Sequence, residues 1–367
     1  MTAPDFDPAA IEAALAPFVA PTVTRGGVLL AVSGGPDSTA LMRAALRAGP
    51  TVPLHVATVD HGLRAASAAE ARGVAAMADA LGLPHTTLAW TGPKPAHGLQ
   101  AAARAARYGL LGDHATRLGL DWVLTGHTRD DQAETVLMRL LAGSGPAGLA
   151  GMRAVRPLVG TVRLGRPFLG VSKAGLVAYC AADGLVPIRD PSNADPRFAR
   201  ARLRALLPAL AREGLSDARL VRLAARCARD DAVLAQSARA AYAAARRPPE
   251  GPVLVRLDGP TLAALPDAVL IRVVARALAE TGAGPARLER IESLVLDGLR
   301  PALTDRAPLR RTLAGMLVSL TRGRGLTLTP APARTGREAP GDRLAAGTRD
   351  LLGKGGGAAY IGPECPD

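Results

Sequence analysis

The sequence predicts an α/β fold, a parallel sheet with helices on both faces, followed by a mainly helical basic domain. Three observations carry this. Over residues 1–150, short apolar runs alternate with Ala-rich helical stretches, and repeated strand–helix alternation builds a parallel sheet covered on both sides. The runs are continuously apolar, as strands buried on both faces are. Charge divides the chain as well: 11 Lys and Arg face 12 Asp and Glu up to residue 150, then 34 face 20, for a net charge of +13.

The elements follow in order. Asp7-Pro8 opens a helix, a capping residue followed by proline at the first helical position. Residues 27–32 (GVLLAV) form the first strand and 38–47 a helix. Residues 54–59 (LHVATV) form the second strand and 66–82 the next helix. A weaker strand spans 85–89, a long Ala/Arg helix 98–119, a strand 121–125 and a helix 130–142. A Gly/Pro-rich stretch covers 143–151. Residues 153–212 carry 11 Lys and Arg against three acids, the most basic segment of the chain. Residues 215–245 read as helical, 246–249 as a linker, 266–299 as two helices, and 312–329 as two strand-like runs around Arg322-Gly323. The expected division is a catalytic domain over 1–212 with a basic connecting segment from about 151, a mainly helical domain over 213–330, and a flexible or truncated tail over 331–367.

Composition excludes several classes. No run of about 18 uncharged apolar residues is present, so no conventional membrane span is expected. The first twenty residues hold Asp5, Asp7 and Glu12 and no cation, unlike a secretory signal. Cys180, Cys227 and Cys365 are too few and too scattered for a disulfide scaffold and form no C-x-x-C pair. A reduced, cytoplasmic protein is expected. Aromatics are 3% of the chain, too few for a sheet that stacks several bases. Only Lys94, Lys173 and Lys354 among the cations are Lys, so the Arg bias is partly compositional. The one-sided surplus after residue 150 nevertheless points to a polyanion, with nucleic acid the expected class.

Three loops carry the chemistry. Ser33-Gly34-Gly35-Pro36-Asp37-Ser38 lies between the first strand and its helix. Its glycines bring backbone N–H groups close to an anion at a helix N-terminus, and its hydroxyls can donate to phosphate oxygens. Asp37 would repel phosphate by itself, which implies Mg²⁺ between carboxylate and pyrophosphate. The Walker pattern G-x-x-x-x-G-K-[ST] is absent. Asp60-His61-Gly62-Leu63-Arg64 ends the second strand and suits ribose, adenine or phosphate; it would equally serve as an Asp-initiated turn. After the fourth strand, Gly126 and His127 precede Asp130, Asp131 and Glu134. Thr128-x-x-Asp131 fits a helix capping box, yet capping needs fewer carboxylates than are present.

Together these loops resemble the PP-loop ATP pyrophosphatase group, in which S-G-G-x-D-S binds ATP phosphates. Within that group, V-D-H-G-L-R at 59–64 paired with G-H-x-x-D-D-Q-x-E-T at 126–135 is the pattern of the tRNA(Ile)-lysidine synthetases. The resemblance extends through A-R-A-A-R-Y at 103–108, the proline-punctuated stretches at 156–158 and 166–169, and D-P-S-N at 190–193 with the arginines that follow. Ala201 stands where the family usually has Asn.

The resemblance implies ATP-dependent attachment of L-lysine to the wobble cytidine of a tRNA(Ile) with a CAU anticodon. ATP would adenylate the cytosine C2 oxygen, and the lysine amine would then displace AMP. Ser33, Gly34, Gly35, Pro36 and Ser38 would hold the phosphates, with Asp37 on Mg²⁺ and Arg107 facing the developing charge. Asp60, His61, Arg64, Gly126 and His127 would shape the ATP site. Asp130, Asp131 and Glu134 are candidates to attract the lysine and accept its proton. Arg197, Arg200, Arg202 and Arg204 would grip the tRNA backbone, although their spacing cannot place all four on one helix face. The rivals are a tRNA thiolase and a non-catalytic RNA-binding relative. The thiolase is disfavoured because no cysteine is expected near the loops at 33–38 or 126–135. The expected oligomeric state is a monomer or a homodimer.

Overall fold

The computed structural model describes residues 7–20, 26–63, 67–188, 199–321 and 325–332. Arg64, Arg197, the D-P-S-N segment and the chain beyond 332 lie outside the described residues. By their contacts the residues divide into two compact units, 1–143 with 149–226, and 144–148 with 227–367.

The first unit opens with α1 (Pro8–Ala13), capped by the Asp7 carboxylate as the Asp-Pro pair predicts, and α2 (Ala16–Val19). Then follow β1 (Val28–Ala31), α3 (Pro36–Arg47), β2 (Leu54–Asp60), α4 (Ser67–Ala80), β3 (His85–Ala89), α5 (Leu99–Arg117), β4 (Trp122–Thr125) and α6 (Arg129–Leu141). After α7 (Pro146–Leu149), of which all but Leu149 is grouped with the second unit, the first unit resumes with β5 (Val155–Val159), β6 (Val162–Gly165), α8 (Lys173–Ala182) and α9 (Ala199–Arg212). The sheet order is β3-β2-β1-β4-β6-β5, parallel except for β5.

Strand periodicity sorts the core. Val28 and Leu30 of β1, with Trp122 and Leu124 of β4, pack toward Leu41, Phe168 and Leu176. The intervening Leu29 and Val123 pack toward Tyr108, Leu111 and Ala115 of α5. Alternate residues thus bury on opposite faces, which is why the strands read as unbroken apolar runs.

The hairpin of β5 and β6 is a finding that the sequence reading treats as part of a basic connecting segment. Pro157 obscures it, since proline signals a break; on an outer edge strand its missing N–H costs no ladder hydrogen bond.

The chain continues through α10 (Asp217–Ala245), and the unit boundary falls within that helix. The second unit contains β7 (Arg246–Arg247), β8 (Val255–Leu257), α11 (Gly259–Ala263), α12 (Asp267–Glu280), α13 (Leu288–Leu294), a π-helical turn at Val295–Leu299, α14 (Arg300–Thr304), β9 (Leu309–Leu313), β10 (Met316–Thr321) and β11 (Gly325–Pro330). Its helices cover an antiparallel sheet ordered β7-β8-β11-β10-β9, with Leu270, Val274, Leu299, Val318 and Leu328 in the core. Where two strand-like runs are read from sequence over 312–329, three strands stand. The missed turn is Ala314-Gly315, both at positive φ, a conformation that alanine rarely signals. The 246–249 linker likewise begins as a short strand paired with β8. Among the described residues no helix is long and apolar enough to cross a membrane.

Candidate active site

β1 lies between β2 and β4, and the loops after all three emerge at one edge of the sheet. Connections from β1 and β4 leave in different directions there, the place where ligands enter open α/β sheets. A cleft of about 950 Å³ opens at this edge. Ser33, Gly35, Pro36, Asp37, Ser38, His61, Arg107, Gly126, His127 and Asp131 line it, as do Lys173 and Arg204.

The first loop is braced by its own side chains. Ser33 N donates to Ser38 Oγ at 3.1 Å, Ser38 Oγ to the Gly35 carbonyl at 3.0 Å, and Thr39 Oγ1 to the Gly34 carbonyl at 3.1 Å. Gly35 caps α3 without a side chain, so no side-chain cap competes for that helix's first-turn N–H groups. Gly34 adopts φ +86°, and Gly126 packs so closely that a Cβ there would stand 2.7 Å from the Asp37 carbonyl oxygen. The loops after β1 and β4 therefore touch through backbone, which glycine alone permits.

Asp37 sits at the first turn of α3. Its Oδ2 accepts a hydrogen bond from Lys173 Nζ at 3.0 Å, while its Oδ1 is buried with no hydrogen-bond partner among the described residues. Burial pushes the carboxyl up; Lys173 pulls it back, and Asp130 and Asp131 add to the rise. One unpartnered carboxylate oxygen facing a phosphate loop fits Mg²⁺, which takes one or two protein carboxylates and completes its shell with phosphate oxygens and water. Among the described residues no group of three His, Cys, Asp or Glu is placed to hold a metal alone, so a cation arriving with phosphates suits this donor set.

The three carboxylates of the β4–α6 loop separate in role. Asp130 Oδ2 accepts from the Lys173 backbone N at 2.8 Å, fixing the start of α8. Asp131 Oδ2 accepts from Thr128 N and Thr128 Oγ1, both at 2.9 Å, and closes the capping box. Glu134, 2% exposed, takes Arg204 Nε at 2.7 Å, and its Oε2 is buried with no hydrogen-bond partner among the described residues. Of the three, Asp131 lines the cleft.

Asp60 builds its turn: Oδ1 accepts from Gly62 N at 2.8 Å, and hydrogen bonds from Ser67 and Gly62 hold the carboxyl below its ordinary range. His61 is pushed down by burial and by Arg107. His127 is pushed far down by burial and by four arginines, and one ring nitrogen, Nδ1, lies 2.8 Å from Thr125 Oγ1. Both imidazoles are therefore neutral hydrogen-bonding groups at neutral pH.

The PP-loop domain family matches residues 9–210. A tRNA(Ile)-lysidine synthase from Methylobacterium nodulans is 58% identical over 312 residues, covering 84% of this chain and 91% of that protein. Another, from Rhodopseudomonas palustris, is 48% identical over 322 residues, covering 84% and 92%. The chain belongs to the tRNA(Ile)-lysidine synthase family. Among solved structures, a U34-tRNA thiolase from Methanococcus maripaludis matches with a TM-score of 0.49 at 16% identity, covering 59% of this chain and 77% of that one.

For this member of the lysidine synthase family, the expectation that no cysteine lies near the loops is overturned. Cys180 does lie at the phosphate loop: packing of α8 against α3 brings its Sγ to donate to the Pro36 carbonyl at 3.4 Å. Burial raises the thiol to about 11, so it is a protonated packing group, not a sulfur nucleophile. Lys173 is the residue that sequence reading missed. Its one signal was being among three lysines in an arginine-dominated chain. Of the four arginines expected on tRNA, Arg200, Arg202 and Arg204 fall on α9. Arg204 turns inward to Glu134, Arg202 is exposed, and Arg197 lies outside the described residues.

Proposed function

We infer that this ligase joins the ε-amine of L-lysine to C2 of the wobble cytidine in a tRNA(Ile) with a CAU anticodon, consuming ATP. The observation that carries the reading is one cleft, in a member of the lysidine synthase family, lined at once by the 33–38 loop, Arg107 and Asp131. The enzyme acts in the cytoplasm, where its substrates reside. Residues 213–330 supply a tRNA-binding part in addition to the catalytic domain.

ATP phosphates lie on Ser33–Ser38 against the N-terminus of α3. Asp37 would hold Mg²⁺ through Oδ1, and the metal supplies charge neutralisation along the phosphates. Lys173 holds the other carboxylate oxygen. The cytosine O2 attacks the α-phosphorus, the bond to the β-phosphate oxygen breaks, and pyrophosphate leaves. Arg107 offers a preorganised cation to the developing negative charge, while neutral His61 and His127 accept or donate hydrogen bonds to the nucleotide without adding charge.

Adenylation turns the C2 oxygen into a leaving group. Asp131 attracts the lysine ammonium and takes its proton, which passes to solvent. The neutral amine attacks C2, and AMP departs with the electron pair. Asp130 and Glu134 act indirectly, by fixing Lys173 and Arg204.

Incubation with tRNA, ATP and labelled lysine tests the reading. Label enters RNA only with ATP present; sulfur incorporation in place of label would restore the thiolase.

A further inference from the structure

We propose that Arg104 and Arg156, gathered on Tyr108 beside Arg107, form a second oxyanion site, which holds a backbone phosphodiester of the RNA beside the target cytidine. The proposal rests on the reaction inferred above. The guanidinium carbons of Arg104, Arg107 and Arg156 lie 5.2, 5.1 and 5.1 Å from the centre of the same Tyr108 ring. Two come from α5 and one from β5, so the cluster is assembled by the fold and is not a run of neighbours in sequence. Arg166, 1% exposed, is anchored through Nη1 to the Arg153 carbonyl at 2.7 Å.

Within the cluster, Arg104 and Arg107 carry charge that no carboxylate of the described residues neutralises. Arg107 Nε is buried with no hydrogen-bond partner among the described residues. Burial lowers Arg104 to about 10; Tyr108 opposes the fall, and the charges of Arg107, Arg200 and Arg166 add to it. Like charges held together at a buried ring are costly unless an anion completes them. A phosphate meets guanidinium forks with paired oxygens, the geometry arginine suits better than lysine.

The nucleotide accounts for Arg107 but not for Arg104 or Arg156. Its phosphates have the 33–38 loop, the helix N-terminus, Asp37 with its cation, and Arg107 on the cleft wall. Of the three arginines on Tyr108, Arg107 lines the cleft, while Arg104 and Arg156 do not. The charge thus extends from the cleft wall to ground beside it. A cytidine within RNA brings a phosphodiester on each side. With its base at the ATP α-phosphate, one of these must lie beside the cleft.

The test uses full-length enzyme and tRNA carrying one uncharged methylphosphonate on either side of the target cytidine. tRNA binding is measured by filter retention without ATP or lysine, and lysine incorporation is measured separately. At one of the two positions the methylphosphonate weakens wild-type binding about tenfold. Arg104→Gln weakens binding of unmodified tRNA similarly, shows no further loss with the modified tRNA, and leaves the KM for ATP unchanged. Arg156→Gln behaves alike, and Arg104→Lys recovers part of the binding, which separates charge from folding. Equal methylphosphonate effects in wild type and both variants would overturn the proposal. So would a raised KM for ATP or weaker pyrophosphate inhibition with tRNA binding intact, which would assign the cluster to nucleotide phosphates. Wild-type enzyme that binds tRNA but incorporates no lysine would instead sink the ligase reading, while the binding arm still reads the site.

Discussion

Lys173 Nζ lies 3.0 Å from Asp37 Oδ2, joining the first turn of α8 to the first turn of α3 across 136 positions of sequence. The pair leaves the second Asp37 oxygen buried and available. Its basicity follows from two opposed effects, burial raising the carboxyl and Lys173 lowering it. Asp37 must be ionised to hold a cation. Lys173→Met removes the lowering effect, so the acid limb of the pyrophosphate-release profile moves to higher pH; Lys173→Arg largely keeps it in place. Asp37→Ala abolishes pyrophosphate release with tRNA binding retained. An unmoved limb in Lys173→Met would detach the lysine from Asp37 function.

Gly126→Ala places a methyl group 2.7 Å from the Asp37 carbonyl oxygen. Backbone on both sides must then separate, and misplacement of about 1 Å at a reacting centre costs on the order of a hundredfold in rate. Steady-state kinetics should show kcat/KM for ATP falling by about that factor, with tRNA affinity unchanged.

Glu134 is 2% exposed and Arg204 considerably more so. Arg204→Ala strands a buried carboxylate and costs about 3 kcal/mol, whereas Glu134→Gln leaves its partner able to reach water and costs less. Urea unfolding of the two variants checks the order. The reverse order would mean that Arg204, not Glu134, is the member that burial penalises.

Arg200→Ala with Arg202→Ala lowers the slope of log tRNA affinity against log salt by about 0.7–0.9 for each phosphate that the variant no longer neutralises. Filter binding over a range of KCl concentrations measures it, and an unchanged slope assigns both side chains to structure.

Cys180 is buried against Pro36 with its thiol raised to about 11. It therefore resists iodoacetamide in the folded enzyme at pH 8, and Cys180→Ala retains lysine incorporation. Loss of incorporation in a folded Cys180→Ala enzyme would return the sulfur to the chemistry.

How much was legible depended on range. The 33–38 and 126–135 loops were readable because each element of their logic is local: glycines for close approach, a proline opening α3, and Thr128 with Asp131 capping the start of α6. The strands ending in them were readable because both faces are buried. The β5–β6 hairpin was not, since Pro157 is tolerated only through its place at the sheet edge, which is a property of the sheet. Ala314 hid a turn for the opposite reason, adopting a backbone angle its type seldom takes.

The sequence by itself determined the alternating fold, the three loops at one sheet edge and the residue types in them, because helix caps, turn glycines and strand burial act over a few residues. Tertiary structure decided how the charges are shared. Asp130, Asp131 and Glu134 look equivalent within five positions, yet one holds a backbone amide, one closes a cap and one is buried against Arg204. Lys173 and Cys180 reach the phosphate loop only because α8 packs on α3. Pairing energies depend on distance and burial, and both are set by segments far apart in the chain.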